Sequence, residues 1–266
     1  MTQKLIIGQY YPAKSYIHSL DPRIKLVGIF TYITMLFFAQ STISYVFAAA
    51  CLCIAVYSST VPPKYMLKGL RSIMFIIIIT VTLNLFFTPG ENLIFQLWRI
   101  RIYSEGVIHS VKMASRLALL IISSSILTLT TSPIALTDAI EYLLRPFKKI
   151  GLPAHDIAMM MTIALRFIPT LLEEMDKIMK AQTARGAGFD TGGITKKAKA
   201  MIPLLVPLFI SAFRRADELA TAMEARCYRG DNGRTKMKQL VLSKSDNKAI
   251  IFILAFITVI ILMRIW

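Results

Sequence analysis

The sequence predicts an all-α, polytopic membrane protein with about five transmembrane helices and a cytoplasmic module of long amphipathic helices. Three observations carry this. The 266 residues are 55% hydrophobic and 17% charged, with a mean hydropathy of +0.59, whereas soluble domains run near ~45–50% apolar and ~25% charged. Apolar runs at about residues 24–39, 43–60, 72–88, 107–131 and 248–263 each come close to the ~17–25 residues that span a bilayer. Between the fourth and fifth lies a long stretch whose apolar residues recur every three or four positions opposite charged ones, the mark of amphipathic helices. The chain thus divides into an arm with four spans (1–131), the amphipathic module (132–246) and a last span (247–266).

In order, residues 1–23 read as a mixed, non-helical arm without the apolar core of a cleavable signal. The first two spans are joined only by Gln40-Ser41-Thr42 and form a tight hairpin. Residues 61–71 read as a short basic connection, and Thr88-Pro89-Gly90 as the turn that closes the third span. Residues 91–106 are mixed, with Trp98 and Tyr103 placed as interfacial anchors. Lys112 and Arg116, one turn apart near the start of the fourth span, read as cations snorkelling to the interface. Residues 133–149 form an amphipathic helix with Thr137 and Asp138 near its first turn and Lys148-Lys149 before Gly151, the expected terminal charges and stop.

Two long helices follow. In the first, Met160, Ala164, Phe167, Leu171, Met175 and Ile178 form one face; in the second, Phe209, Ala212, Phe213, Ala216, Leu219, Ala220 and Met223 do. The other faces carry Glu173, Glu174, Asp176, Lys177 and Lys180, then Arg214, Arg215, Asp217, Glu218 and Glu224. Such helices are apolar enough to pack on a membrane domain or on each other, and too charged to cross a bilayer. Pro169, Pro203 and Pro207 are candidate hinges, Pro203 alternatively opening the second helix after a short lead-in. Most of the methionines Met159, Met160, Met161, Met175, Met179 and Met201 read as core packing, although thioethers also suit a surface that accepts several partners.

Charge and cysteine use exclude several functions. The net charge of +16 collects in the arm, the 61–71 loop and the module, which is the positive-inside pattern of a membrane protein and not a nucleic-acid footprint. With five spans it places the N-terminus and module in the cytoplasm and the C-terminus outside. Gly8 to Ser15 (G-Q-Y-Y-P-A-K-S) approaches a phosphate loop, but Ala13 replaces the second glycine and Pro12 removes a donor. No nucleotide site, catalytic residue, cofactor or metal site is expected on this chain. His18, His109 and His155 lack ligand spacing, and Cys51, Cys53 and Cys227 form no disulfide framework.

The two long helices end alike, in Ala184-Arg185-Gly186 and Ala225-Arg226-Cys227. An arginine there complements the helix dipole; alternatively, two narrow tips each presenting a rigid five-donor guanidinium clamp a partner's carboxylate or carbonyls. Gly186 permits the left-handed turn that ends a helix sharply.

Here the chain resembles a family. The strings Leu20-Asp21-Pro22-Arg23-Ile24-Lys25, Ala164-Leu165-Arg166-Phe167-Ile168-Pro169, Ala181-Gln182-Thr183-Ala184-Arg185-Gly186, and Arg214-Arg215-Ala216-Asp217-Glu218-Leu219 with Ala222-Met223-Glu224-Ala225-Arg226 are similar to the transmembrane T component of energy-coupling factor (ECF) vitamin and metal importers. That resemblance implies an all-helical membrane protein in the lipid bilayer of a prokaryotic cell. It further implies two ABC-type ATPase subunits, which hold the ATP, docked on the tips Ala184, Arg185, Gly186 and Ala225, Arg226, Cys227. A membrane-embedded S component would bind the substrate. The family's second tip usually has glycine where this chain has Cys227, which implies a less sharp helix end, with Gly230 supplying the stop. The rival reading, the permease of a conventional ABC importer lining its own path, predicts a single docking loop in place of two arginine tips.

Overall fold

The computed structural model describes residues 10–90, 93–97, 100–187, 193–230 and 241–265; the Gly8 and Trp98 readings lie outside them. Among the described residues nine α-helices follow one another: α1 (Tyr16–Ser19), α2 (Pro22–Phe38), α3 (Thr42–Ser59), α4 (Pro63–Phe87), α5 (Ser104–Thr130), α6 (Pro133–Leu144), α7 (Ala154–Ala184), α8 (Ile194–Ala225) and α9 (Lys244–Ile265). The fold is all-α and polytopic, and a small antiparallel ribbon, β1 (Leu93–Leu97) with β2 (Ile100–Tyr103), joins α4 to α5. The β-branched and aromatic residues Ile94, Phe95, Ile100, Ile102 and Tyr103 suit a pleated pair better than the irregular segment expected there.

Several boundaries differ from the sequence reading. The arm is not wholly non-helical: Ser15 caps the one-turn α1 by accepting from the His18 N–H. Asp21 then caps α2, accepting from the Arg23 N–H at 2.8 Å ahead of Pro22. The 61–71 connection is helical as well, because Pro63 opens α4 at its first position and Lys64, Lys68 and Arg71 ride on the first turns. Residues 133–149 are not one helix. Pro146 cannot donate to the preceding turn, so α6 stops at Leu144 and a 3-10 helix (Arg145–Ile150) continues to Gly151, whose φ of +90° ends it.

Packing divides the chain into two compact units, residues 1–140 with 239–266 and residues 141–238. Composition changes instead at 131/132 and 246/247.

In the first unit α4 lies on α5, and α2 packs against both α5 and α9. Its core holds Leu36, Ala48, Leu119, Ile126 and Ile260. A buried polar lock closes one end of it: Asp246 accepts the Asp21 N–H at 2.8 Å and the Ser243 N–H at 2.7 Å, so the starts of α2 and α9 are tied together. Lys112 and Arg116 reach toward the short turn between α2 and α3. Lys112 Nζ donates to the Gln40 carbonyl at 2.8 Å, and the Arg116 guanidinium to the Tyr45 hydroxyl and the Ala39 carbonyl. Both cations sit on the carbonyl end of α2, where the dipole favours them.

Among the described residues, five helices are long and apolar enough to cross a membrane: α3, α4, α5, α7 and α9. At 17 residues α2 sits at the short end of the spanning range. On length and composition α7 qualifies too, against the expectation that its charge excludes it: its first half is apolar, and the charges crowd the second. Phe75 and Phe87 of α4 are 73% and 79% exposed, as lipid-facing side chains are.

Candidate functional site

The second unit is organised by α7 and α8, which pack against each other. Glu174 of α7 accepts from the Ser211 hydroxyl and, at 2.8 Å, from Arg215 Nη2, both on α8. The sequence reading put Glu174 and Arg215 on outward faces; here they form the polar link between the helices. Past the end of α8, Tyr228 Oη lies 3.3 Å from His155 Nε2 at the start of α7. These two links fix the pair as antiparallel. The C-terminal tips therefore stand at opposite ends of it, about 45 Å apart for a helix the length of α7 at ~1.5 Å per residue.

The tips are alike in backbone detail. Arg185 has φ, ψ of −85°, 5° and Arg226 −91°, 13°. After the first, the Gly186 N–H donates to Thr183 O and the Ala187 N–H to Gln182 O, both at 3.0 Å; after the second, the Cys227 N–H donates to Glu224 O at 2.8 Å and the Tyr228 N–H to Met223 O at 3.0 Å. Both are complete Schellman caps, which satisfy the last carbonyls without any side chain. The arginines are thus not needed as caps. Ala184, Arg185, Gly186, Ala225, Arg226 and Cys227 are all exposed.

The left-handed position after each arginine is filled differently, by Gly186 (φ +90°) and by Cys227 (φ +55°). The expected blunter second end, with Gly230 as the stop, is not what forms. Cys227 takes the left-handed conformation itself, at a backbone cost of ~1–2 kcal/mol for a residue with a Cβ. Its thiol is free and exposed, and no cluster of metal-ligating residues occurs among the described residues.

Three site residues, His155, Tyr228 and Glu141, escaped the sequence reading. His155, dismissed as scattered, bridges Tyr228 and Glu141, whose Oε1 lies 3.3 Å from its Nδ1. The one available signal was position, Tyr228 being the residue that closes the second cap. Pro169 lies inside α7, and Pro203 and Pro207 inside α8. Pro203 does not open its helix, since α8 already begins at Ile194. The core assignment for the methionines also fails: Met160 and Met201 are 60% and 52% exposed, and Met161 and Met179 are exposed as well.

A family model described as cobalt transport protein, CbiQ, matches residues 13–237. The chain is 53% identical to the energy-coupling factor transporter transmembrane protein EcfT of Clostridium kluyveri, covering 100% of this chain and 99% of that one. It belongs to this CbiQ/ECF T-component family. Two further relatives of the same name, from Acidaminococcus fermentans and Bacillus subtilis, are 51% and 43% identical over 99% of this chain and 98% and 100% of theirs. As a T component it is a multi-pass transmembrane transport protein, and both tips fall inside the matched region.

Proposed function

We propose that this T component is a non-catalytic coupling subunit, and that Arg185 and Arg226 are the points at which two ABC-type ATPase subunits take hold of it. The observation that carries the reading is the pair of backbone-matched, self-capped tips, each leaving an exposed arginine unspent at opposite ends of one helix pair. Two such points suit two partners. ATP, held by those partners, would close them on each other, and the force on the tips would move α7 against α8. Pro169, Pro203 and Pro207 interrupt the helical hydrogen-bond ladders and offer the places where these helices bend. The moving faces then act on a membrane-embedded S component that binds the vitamin or metal. In this reading α2, α3, α4, α5 and α9 cross the cell membrane and α7 does not, because its charged second half opposes burial in lipid. The N-terminus and the α7–α8 module are cytoplasmic.

Affinity purification from the host membrane tests this. Two nucleotide-binding subunits and a small membrane protein are expected with the wild-type chain. The purified chain alone in vesicles with ATP should hydrolyse nothing and move nothing; transport of a solute unaided would return it to the conventional permease reading.

A further inference from the structure

Within the first unit, α2, α3, α5 and α9 enclose a crevice of about 350 Å³, at the lower end of the ~300–1,000 Å³ of ligand pockets. Gly28 and Ile29 of α2, Ala55 of α3, Ile126 of α5 and Phe252 of α9 wall it. At Gly28 the helices α2 and α9 come so close that a Cβ would stand 2.9 Å from Ile253 Cδ1. The stacked rings of Tyr32 and Phe256, 5.3 Å apart, line its inner end. From Ile24 to Tyr32 it runs ~12 Å along α2 at ~1.5 Å per residue, most of the ~15 Å of one hydrocarbon leaflet, half of a ~30 Å core. Ile54 and Phe252 on its rim are exposed, so it opens sideways at these residues.

Most of the polar groups around it are already engaged. Ser123 donates to Leu120 O at 2.9 Å, Thr130 to Ile126 O at 2.7 Å and Tyr32 to Ala48 O at 3.1 Å. Lys25 Nζ donates to the His18 and Thr130 carbonyls, both at 3.2 Å, and Tyr16 to Ser245 O at 2.8 Å. A polar solute would exchange hydration for walls whose donors are mostly spent; a hydrocarbon chain requires no partner there. At the opposite end from the Tyr32–Phe256 stack, Lys248 is exposed. The nearby Asp246 carboxylate is buried with Lys25 as its opposite charge, which leaves Lys248 as the exposed charge among the residues that line the crevice.

We infer that this crevice is a phospholipid site, in which one acyl chain lies between α2, α3 and α9 and an anionic headgroup pairs with Lys248. The full-length chain in phosphatidylcholine vesicles, doped with phosphatidylglycerol or phosphatidylcholine carrying a photoreactive diazirine in the acyl chain, tests it. Adducts should concentrate on residues 51–58 and 249–256, about five-fold more from the phosphatidylglycerol probe for one lysine at the surface. Lys248→Ala should keep the adducts and erase the headgroup preference; Ala55→Trp should remove them. Labelling of α4 as dense as at those two segments, equal labelling by the two probes, or an unchanged preference in Lys248→Ala would overturn the assignment. Should Ala55→Trp fail to fold, the wild-type comparison of the two probes still decides.

Discussion

The two ends of the α7–α8 pair present the same arginine on the same Schellman cap, yet they are held by different means. At the first, Gly186 adopts φ +90° with no Cβ to strain. At the second, Cys227 is forced to φ +55°, and the chain just beyond it is anchored through Tyr228 to His155 and from there to Glu141. The first tip is easy to form by itself. The second depends on tertiary contacts that hold a strained turn in place. An identical surface feature can therefore rest on local propensity at one site and on packing at another.

The largest expected effect tests whether the two tips act as equals. Arg185→Ala or Arg226→Ala alone should weaken ATPase association about ten-fold or more, as for loss of charge-assisted hydrogen bonds worth ~1.5–3 kcal/mol. The double variant should abolish co-purification. Wild-type association in all three would leave the arginines without a docking role.

A smaller effect isolates the glycine difference. Cys227→Gly should raise stability by ~1 kcal/mol and Gly186→Cys lower it by a similar amount, since only the left-handed strain changes hands. Thermal unfolding of the two variants in one detergent, followed by helical circular dichroism, reads this directly. Equal and negligible shifts would mean that the two turns are equally strained.

The smallest effect concerns the anchor. Tyr228→Phe removes one hydrogen bond of ~0.5–1.5 kcal/mol. Amide exchange should accelerate several-fold over residues 224–228 and stay unchanged over residues 182–187. Acceleration at both tips would show that they are coupled through the helices.

Much of this was legible in the sequence because it depends on local chemistry. Apolar run lengths, the 3.6-residue period of α7 and α8, and the arginine tips all follow from residues a few positions apart. The boundaries that shifted did so through single residues whose effects are also local but compete with neighbours: Pro63 extends α4 toward the N-terminus, Ser15 caps a turn in the arm, and Pro146 breaks α6 into a 3-10 segment.

The composition and periodicity of the chain by themselves determined that it is an all-helical membrane protein bearing two long amphipathic helices with matching ends. Only tertiary structure decided that those helices run antiparallel, that Glu174 faces Arg215, that His155 steadies the second tip, and that Lys112 and Arg116 close the end of α2. The physical reason is the range of the forces involved. Helix formation and capping are settled within one or two turns, whereas a hydrogen bond between residues 73 positions apart exists only once packing has brought its two ends together.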